Sequence, residues 1–165
     1  MMIIRQSYIW RTGLVIDTEH TKAVEDLYFN FLHAWNERNS RAMAVHFTED
    51  GEMVGYDGSQ AFGPEEIHAH LEPIFSSFPT PPYYAKVKSV SFLSDDAVMV
   101  RAIAGMVPVG KTELSRELNT HHTVIAVKND EKWFIKLFQN TPAQFHGRPE
   151  LLEQMTEELR ALLPK

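Results

Sequence analysis

The side chains best suited to moving protons are His121 and His122, the adjacent pair Tyr56-Asp57, and the amide of Gln139. An imidazole titrates near neutral pH, so a positioned histidine can both take and give a proton there. The register of the last two strands decides which histidine that is. If Asp130-Glu131 is a two-residue turn, Lys128 pairs with Trp133 and His122 falls opposite Gln139, with Asn119 or Thr120 nearby. His122 then acts as general acid or base, while Gln139 and Asn119 orient a carbonyl or hydroxyl. A turn one residue longer exchanges His122 for His121. The alternative for His122 is a hydrogen-bonded structural role at a strand end. In VGYDG, Tyr56 and Asp57 set a phenol beside a carboxylate, a pairing that suits proton transfer to a bound enol or keto group. The competing accounts are turn chemistry for Asp57-Gly58 and packing for Tyr56.

Other chemistry-bearing residues fit less well into a site. Arg101 sits mid-strand among apolar residues, where it binds an anionic ligand group, pairs with an internal carboxylate or faces solvent. Gly105 to Thr112, GMVPVGKT, matches the phosphate-loop pattern letter for letter. Its bulky Met106, Val107 and Val109 occupy positions where backbone amides must curl, Pro108 removes a donor, and the following ELSRELN is too short for a crossover helix. His68 and His70 diverge on a helix, and His121 and His122 point to opposite faces of a strand, so neither pair chelates a metal. No cofactor motif is present, and neither a cofactor nor a metal is expected.

These residues must be positioned by a helix-then-sheet layout. Asp17-Thr18 begins a helix whose apolar stripe is Val24, Leu27, Tyr28, Phe31, Leu32 and Trp35. Ser40 caps a short second helix running through Phe47. Asp50-Gly51 then turns the chain into a hairpin, Glu52–Tyr56 and Ser59–Phe62, and Gly63-Pro64-Glu65-Glu66 starts a third helix. From Tyr83 the period changes to two. Tyr83–Leu93, Ala97–Val107, Leu118–Lys128 and Lys132–Thr141 read as four antiparallel strands, and Glu150–Leu163 as a closing amphipathic helix. On the last strand Trp133, Ile135, Leu137, Gln139 and Thr141 share a face that grades from apolar to polar. A strand that opens into a pocket has that gradient; Trp35, Met53 and Trp133 serve as core or pocket wall. Phe134 and Phe138 fall on the other face, which predicts a homodimer through the sheet. The expected class is α+β, with a strongly curved antiparallel sheet covered on its concave face by the amino-terminal helices.

The chain of 165 residues is long enough for one sizeable core, with residues 1–16 as an extension before a single domain spanning 17–165. Its net charge of −6 argues against sequence-independent nucleic-acid binding, which needs a basic face. Cysteine is absent, removing thiolate chemistry and disulfides. No apolar run reaches the roughly 20 residues of a membrane span, and the start is too polar for a signal peptide, so the expected compartment is the cytoplasm.

Four stretches, LYFNFLHAWNERNSRAMAVHF, DGEMVGYDGS, IAGMVP and WFIKLFQNTPAQFHGRPEL, together with the element order, resemble the nuclear-transport-factor-2-like or SnoaL-like superfamily, and more narrowly its SgcJ/EcaC-type subgroup. The resemblance implies a cystatin-like cone roofed by helices, a deep pocket and typically a dimer. Members include isomerases, dehydratases, epoxide hydrolases, cyclases and non-catalytic association domains. Three expectations follow. The first is a small-molecule-binding protein, with cofactor-independent acid/base chemistry on an apolar substrate bearing a carbonyl or hydroxyl. The second is a non-enzymatic dimerisation or binding module. The third, from the subgroup's label, is an oxidoreductase needing NAD(P) or flavin.

Overall fold

The computed structural model describes residues 18–165. The expected extension over residues 1–16, and Asp17 at the first helix start, lie outside them. Helix α1 (Thr18–Asn36) forms because its apolar residues recur three and four apart, burying Val24, Leu27, Tyr28, Phe31 and Leu32 along one side. Each such side chain contributes about 1.5–3 kcal/mol on leaving water. The chain reverses through Arg38, whose φ of 57° is left-handed. Helix α2 (Ser40–Ala44) is capped by Asn39, whose side chain accepts from the Ala42 amide, and not by Ser40 as the sequence suggested. It ends before Phe47, which belongs to strand β1 (Phe47–Val54). Strand β2 (Gln60–Phe62) follows, then helix α3 (Gly63–Ser77) with Pro64 in its first turn and Glu65 and Glu66 behind it.

Strands β3 (Tyr83–Ser94), β4 (Ala97–Met106), β5 (Thr120–Asn129) and β6 (Lys132–Pro142) pair antiparallel in sequence, and helix α4 (Pro149–Arg160) closes the described chain. The sheet order is β2-β1-β6-β5-β4-β3, and β1 runs parallel to β6. This corrects the expected cone. The sheet is mixed, not antiparallel throughout, and it is open, neither closed nor strongly curved. Its parallel pair joins two strands separated by α3 and the whole meander, a contact that no local pattern encodes. Among the described residues no helix is long and apolar enough to cross a membrane.

Alternation divides the sheet into two faces. Val98, Val100, Ala102, Ala104, Val124, Ala126 and Ile135 join the main core beneath α1 and α3, whereas Ile103 packs against Met155 and Leu159 of α4 on the other face. Asp130 and Glu131 form the expected two-residue turn, both with positive φ (47° and 65°), and Lys128 does pair with Trp133. Regular alternation then fails. Ala126 faces Ile135 but Ile125 faces Leu137, so Lys136 is an extra residue without a partner on β5. Every residue beyond it changes face. Phe138, expected outside beside Phe134, is buried, while Gln139 and Thr141 are exposed. His122 consequently pairs with Asn140, not Gln139.

A candidate binding cavity between the helices and the sheet

Beneath α1 and α3 lies a cavity of about 230 Å³. Its helical side is apolar except for His70: Phe31, Leu32 and Trp35 from α1, Met43 from α2, Leu71 and Ile74 from α3. Met53 and Phe138, paired across β1 and β6, close the sheet side. Five polar side chains complete the lining: Tyr56, Asp57, His70, Tyr83 and Asn140.

Tyr83 and Asn140 form the inner polar corner. The Asn140 amide nitrogen donates to the Tyr83 hydroxyl at 3.0 Å, and its oxygen accepts from the buried Thr120 hydroxyl. Burial pushes the Tyr83 phenol up to about 12, against the opposing pull of the Asn140 bond, with Tyr56 adding a smaller upward push. The backbone of Tyr83 is held by the side chain of Asn36, whose oxygen accepts from the Tyr83 amide at 2.8 Å. Its ring packs on Trp35, centroids 5.3 Å apart, and Trp35 is itself pinned by an indole N–H bond to the Pro81 carbonyl at 3.0 Å.

Tyr56, Asp57 and His70 lie at the outer end. The Tyr56 hydroxyl donates to the Glu117 carbonyl at 2.5 Å, tying the β1–β2 turn to the segment before β5. The Asp57 carboxylate accepts from the amide and the hydroxyl of Ser59, each at 2.9 Å. Those bonds hold its carboxyl below the usual range, and the nearby His70 adds a smaller pull in the same direction. Asp57 thus performs turn chemistry and lines the cavity at once.

His122 sits directly behind this wall, not in it. It is fully buried, its Nδ1 lies 2.9 Å from the Tyr28 hydroxyl, and its ring meets Tyr83 and Phe138 edge-on at 5.0 and 4.9 Å. Its Nε2 has no hydrogen-bond partner. Burial pushes it down to about 3, with His121 adding to the effect, so the ring is neutral at physiological pH.

The remaining sequence candidates lie elsewhere. Asn119 is buried but turned toward α4, donating to the Thr156 hydroxyl at 2.8 Å. Trp133 packs at the far end of β6, edge-on to His20 and beneath the Lys128 ammonium. Arg101 is exposed on the outer face between Thr123 and Ser89, and Gln139 and Thr141 share that face. Of ten candidates, the structure brings Trp35, Met53, Tyr56 and Asp57 to one cavity. Sequence reasoning missed Tyr83, Asn140, Phe138 and His70. The Lys136 irregularity hides Asn140 and Phe138 from a regular alternation, and the His68-x-His70 spacing points only to a metal pair that a helix cannot form.

Two further clusters have the right residue types without the arrangement. Ser40 contacts His68 Nδ1 at 2.9 Å and also Glu72, but the imidazole and carboxylate meet only through the serine, which is buried between α2 and α3. That is a helix-to-helix lock and not a nucleophilic triad, in which the base is oriented by the acid. The phosphate-loop match bends at Pro108–Lys111 and leads through a 3-10 turn at Arg116–Leu118 into an antiparallel strand, not a helix. Among the described residues no group of three or more His, Asp or Glu is placed to hold a metal ion.

A profile of the SnoaL-like domain matches residues 24–139. Solved structures share the fold at low identity. A protein of unknown function with a cystatin-like fold from Nostoc punctiforme superposes with a TM-score of 0.74 at 22% identity, covering 83% of this chain and 85% of the other. A protein provisionally assigned as a scytalone dehydratase, from Novosphingobium aromaticivorans, gives 0.63 at 19%, covering 76% and 85%. A protein provisionally assigned as a calcium/calmodulin-dependent protein kinase II association domain, from Thiobacillus denitrificans, gives 0.65 at 14%, covering 73% and 94%. No curated protein matches the chain.

Proposed function

We propose that this chain, which belongs to the SnoaL-like domain family, binds a compact, mainly apolar molecule carrying a carbonyl or hydroxyl oxygen in the cavity under α1 and α3. The observation that carries this reading is the lining itself: apolar walls with a few polar groups, which is how small-molecule sites are built. At about 230 Å³ the space falls below the roughly 300–1,000 Å³ of drug-sized pockets, which favours a ligand of one or two rings. Cofactor-independent acid/base chemistry of the isomerase, dehydratase or cyclase type is the associated reaction, with Tyr56 and Asp57 as proton carriers and Trp35 and Met53 as walls. His122 enters as a support behind Tyr83. The fold shared with a protein provisionally named for a dehydratase is compatible with this reading. The four quoted stretches favour the SgcJ/EcaC-type subgroup within the family.

The second reading, a dimerisation or binding module, is favoured by the outer sheet face, where Met99, Ile125, Phe134 and Leu137 are only half-buried. A homodimer through that face is proposed under either reading, and sedimentation that gives a monomer mass at all concentrations would remove it. The functional test is a thermal-shift screen of cyclic ketones and phenols beside NAD(P)H and flavin. Ketones or phenols should raise Tm, and filling the cavity with Ile74→Trp should abolish the rise. A response to nicotinamide or flavin alone would move the protein to the oxidoreductase reading. No response to any compound would favour the association module.

A further inference from the structure

One proton of the inner polar corner, that of the Tyr83 hydroxyl, has no acceptor among the described residues. A phenol has a single proton and two acceptor positions. In the structure the Asn140 nitrogen faces Tyr83 and its oxygen faces the Thr120 hydroxyl, whose single proton also has the Thr141 carbonyl 2.8 Å from its oxygen, so Tyr83 is the acceptor in its bond with Asn140. Among the described residues no group accepts the proton of Tyr83 in return. The ring cannot swing away to find one. Asn36 grips its backbone, and Trp35 and His122 pack against its ring. Burial keeps the hydroxyl protonated throughout the physiological range. Tyr83 lines the cavity and is 7% exposed, so bulk water competes little for that proton.

We propose that Tyr83 is the specificity-determining donor of the cavity: oriented by Asn140, it gives its hydrogen bond to an acceptor oxygen of the ligand, which selects a carbonyl compound. The inference rests on the small-molecule reading above and names the ligand group that the site recognises. A carbonyl accepts without needing a partner for a proton of its own. A hydroxyl in the same place must also place its own proton, and the Asn140 oxygen that could take it is shared with Thr120. Asn140 and Thr120 are positioning residues, acting through Tyr83.

The test uses two probes of nearly equal shape, 1-tetralone and its parent hydrocarbon tetralin, followed by quenching of tryptophan emission, because Trp35 lines the cavity. Removing the hydroxyl with Tyr83→Phe should weaken 1-tetralone about three- to tenfold, the range of one neutral hydrogen bond. Tetralin affinity should not weaken. A second measurement needs no variant: the C=O stretch of 1-tetralone bound to the wild-type protein should lie below its frequency in hexane. A stretch at the hexane value, or equal weakening of both probes, overturns the role of Tyr83 and leaves the cavity reading intact. Failure of both probes to bind overturns the two together.

Discussion

Lowering the pH from 7 to 5 should destabilise this protein through His122, and the size of the effect can be worked from its burial. The imidazole is held at about 3 in the folded chain and has an ordinary value of 6.5. Between those values the unfolded chain binds a proton that the folded chain refuses, so stability falls as pH drops below 6.5 and levels off near 3. Each unit of pH within that window costs about 1.4 kcal/mol, and allowing for partial titration at the upper end gives about 2 kcal/mol between pH 7 and pH 5. The whole window amounts to about 5 kcal/mol, comparable to the total stability of a small domain. The lowered carboxyl groups of Asp50, Asp57, Glu72 and Glu158 stabilise the fold above their ordinary values of 3.8 and 4.5 and lose that effect only as pH falls below them, outside the interval from 7 to 5. His46 and His121 are also lowered by burial and titrate in the same direction. A variant isolates His122. His122→Gln removes the titration and keeps an amide to meet Tyr28. Urea unfolding of both proteins at pH 7, 6 and 5 should show the wild type losing about 2 kcal/mol more than the variant. A wild-type-to-variant difference that does not change with pH would refute the reasoning, because it would mean that His122 protonates in place.

Three substitutions test the parts of the fold that hold the cavity. Gly63 opens α3 with φ at +73°, and a methyl group there would lie 2.7 Å from the Glu49 carbonyl oxygen; Gly63→Ala should cost about 2 kcal/mol or more in urea unfolding, backbone strain and the clash adding. At Gly105 a methyl group would lie 2.9 Å from the Asn119 side-chain oxygen and 3.0 Å from Leu159. Gly105→Ala should therefore speed amide exchange in α4 first, and Asn119→Ala in the same chain should recover part of the loss, a coupling absent if the two do not touch. Arg38 donates to the Phe75 and Phe78 carbonyls at the end of α3, so Arg38→Ala should cost about 1 kcal/mol and fray that end, read by exchange of the last α3 amides.

What could be read from the sequence was whatever depends on neighbours along the chain. The apolar spacing of α1, the Pro64 start of α3 and the Asp130-Glu131 turn each lie within a few residues, and each is where the sequence placed it. Long-range pairing was out of reach. Asp50-Gly51 has the composition of a turn, yet both residues belong to β1. A Cβ at Gly51 would lie 3.0 Å from the Ile135 carbonyl oxygen of β6 and 3.0 Å from the Thr48 carbonyl oxygen, so glycine there serves a close strand approach. Glycine as a hinge and glycine as a close approach look alike until the partner strand is known.

The same contact explains how the cavity acquired its polar corner. Between the pairs Phe47–Ile135 and Glu52–Leu137, β1 accommodates Thr48 to Gly51 while β6 has only Lys136. The two irregularities face each other and are stitched together. The Ile135 amide donates to the His46 carbonyl at 2.8 Å, and the Lys136 ammonium bonds the Asp50 carbonyl at 2.9 Å and its carboxylate at 2.5 Å. Lys136 is thereby drawn out of the β5 ladder, and the strand resumes one residue out of step. Without that slip Gln139 and Thr141 would face the helices, and Phe138 and Asn140 would face outward. With it, Asn140 reaches Tyr83, and Phe138 closes on Met53 and His122. Which β6 side chains line the cavity thus depends on one extra residue, held opposite a strand that lies almost ninety positions earlier in the chain.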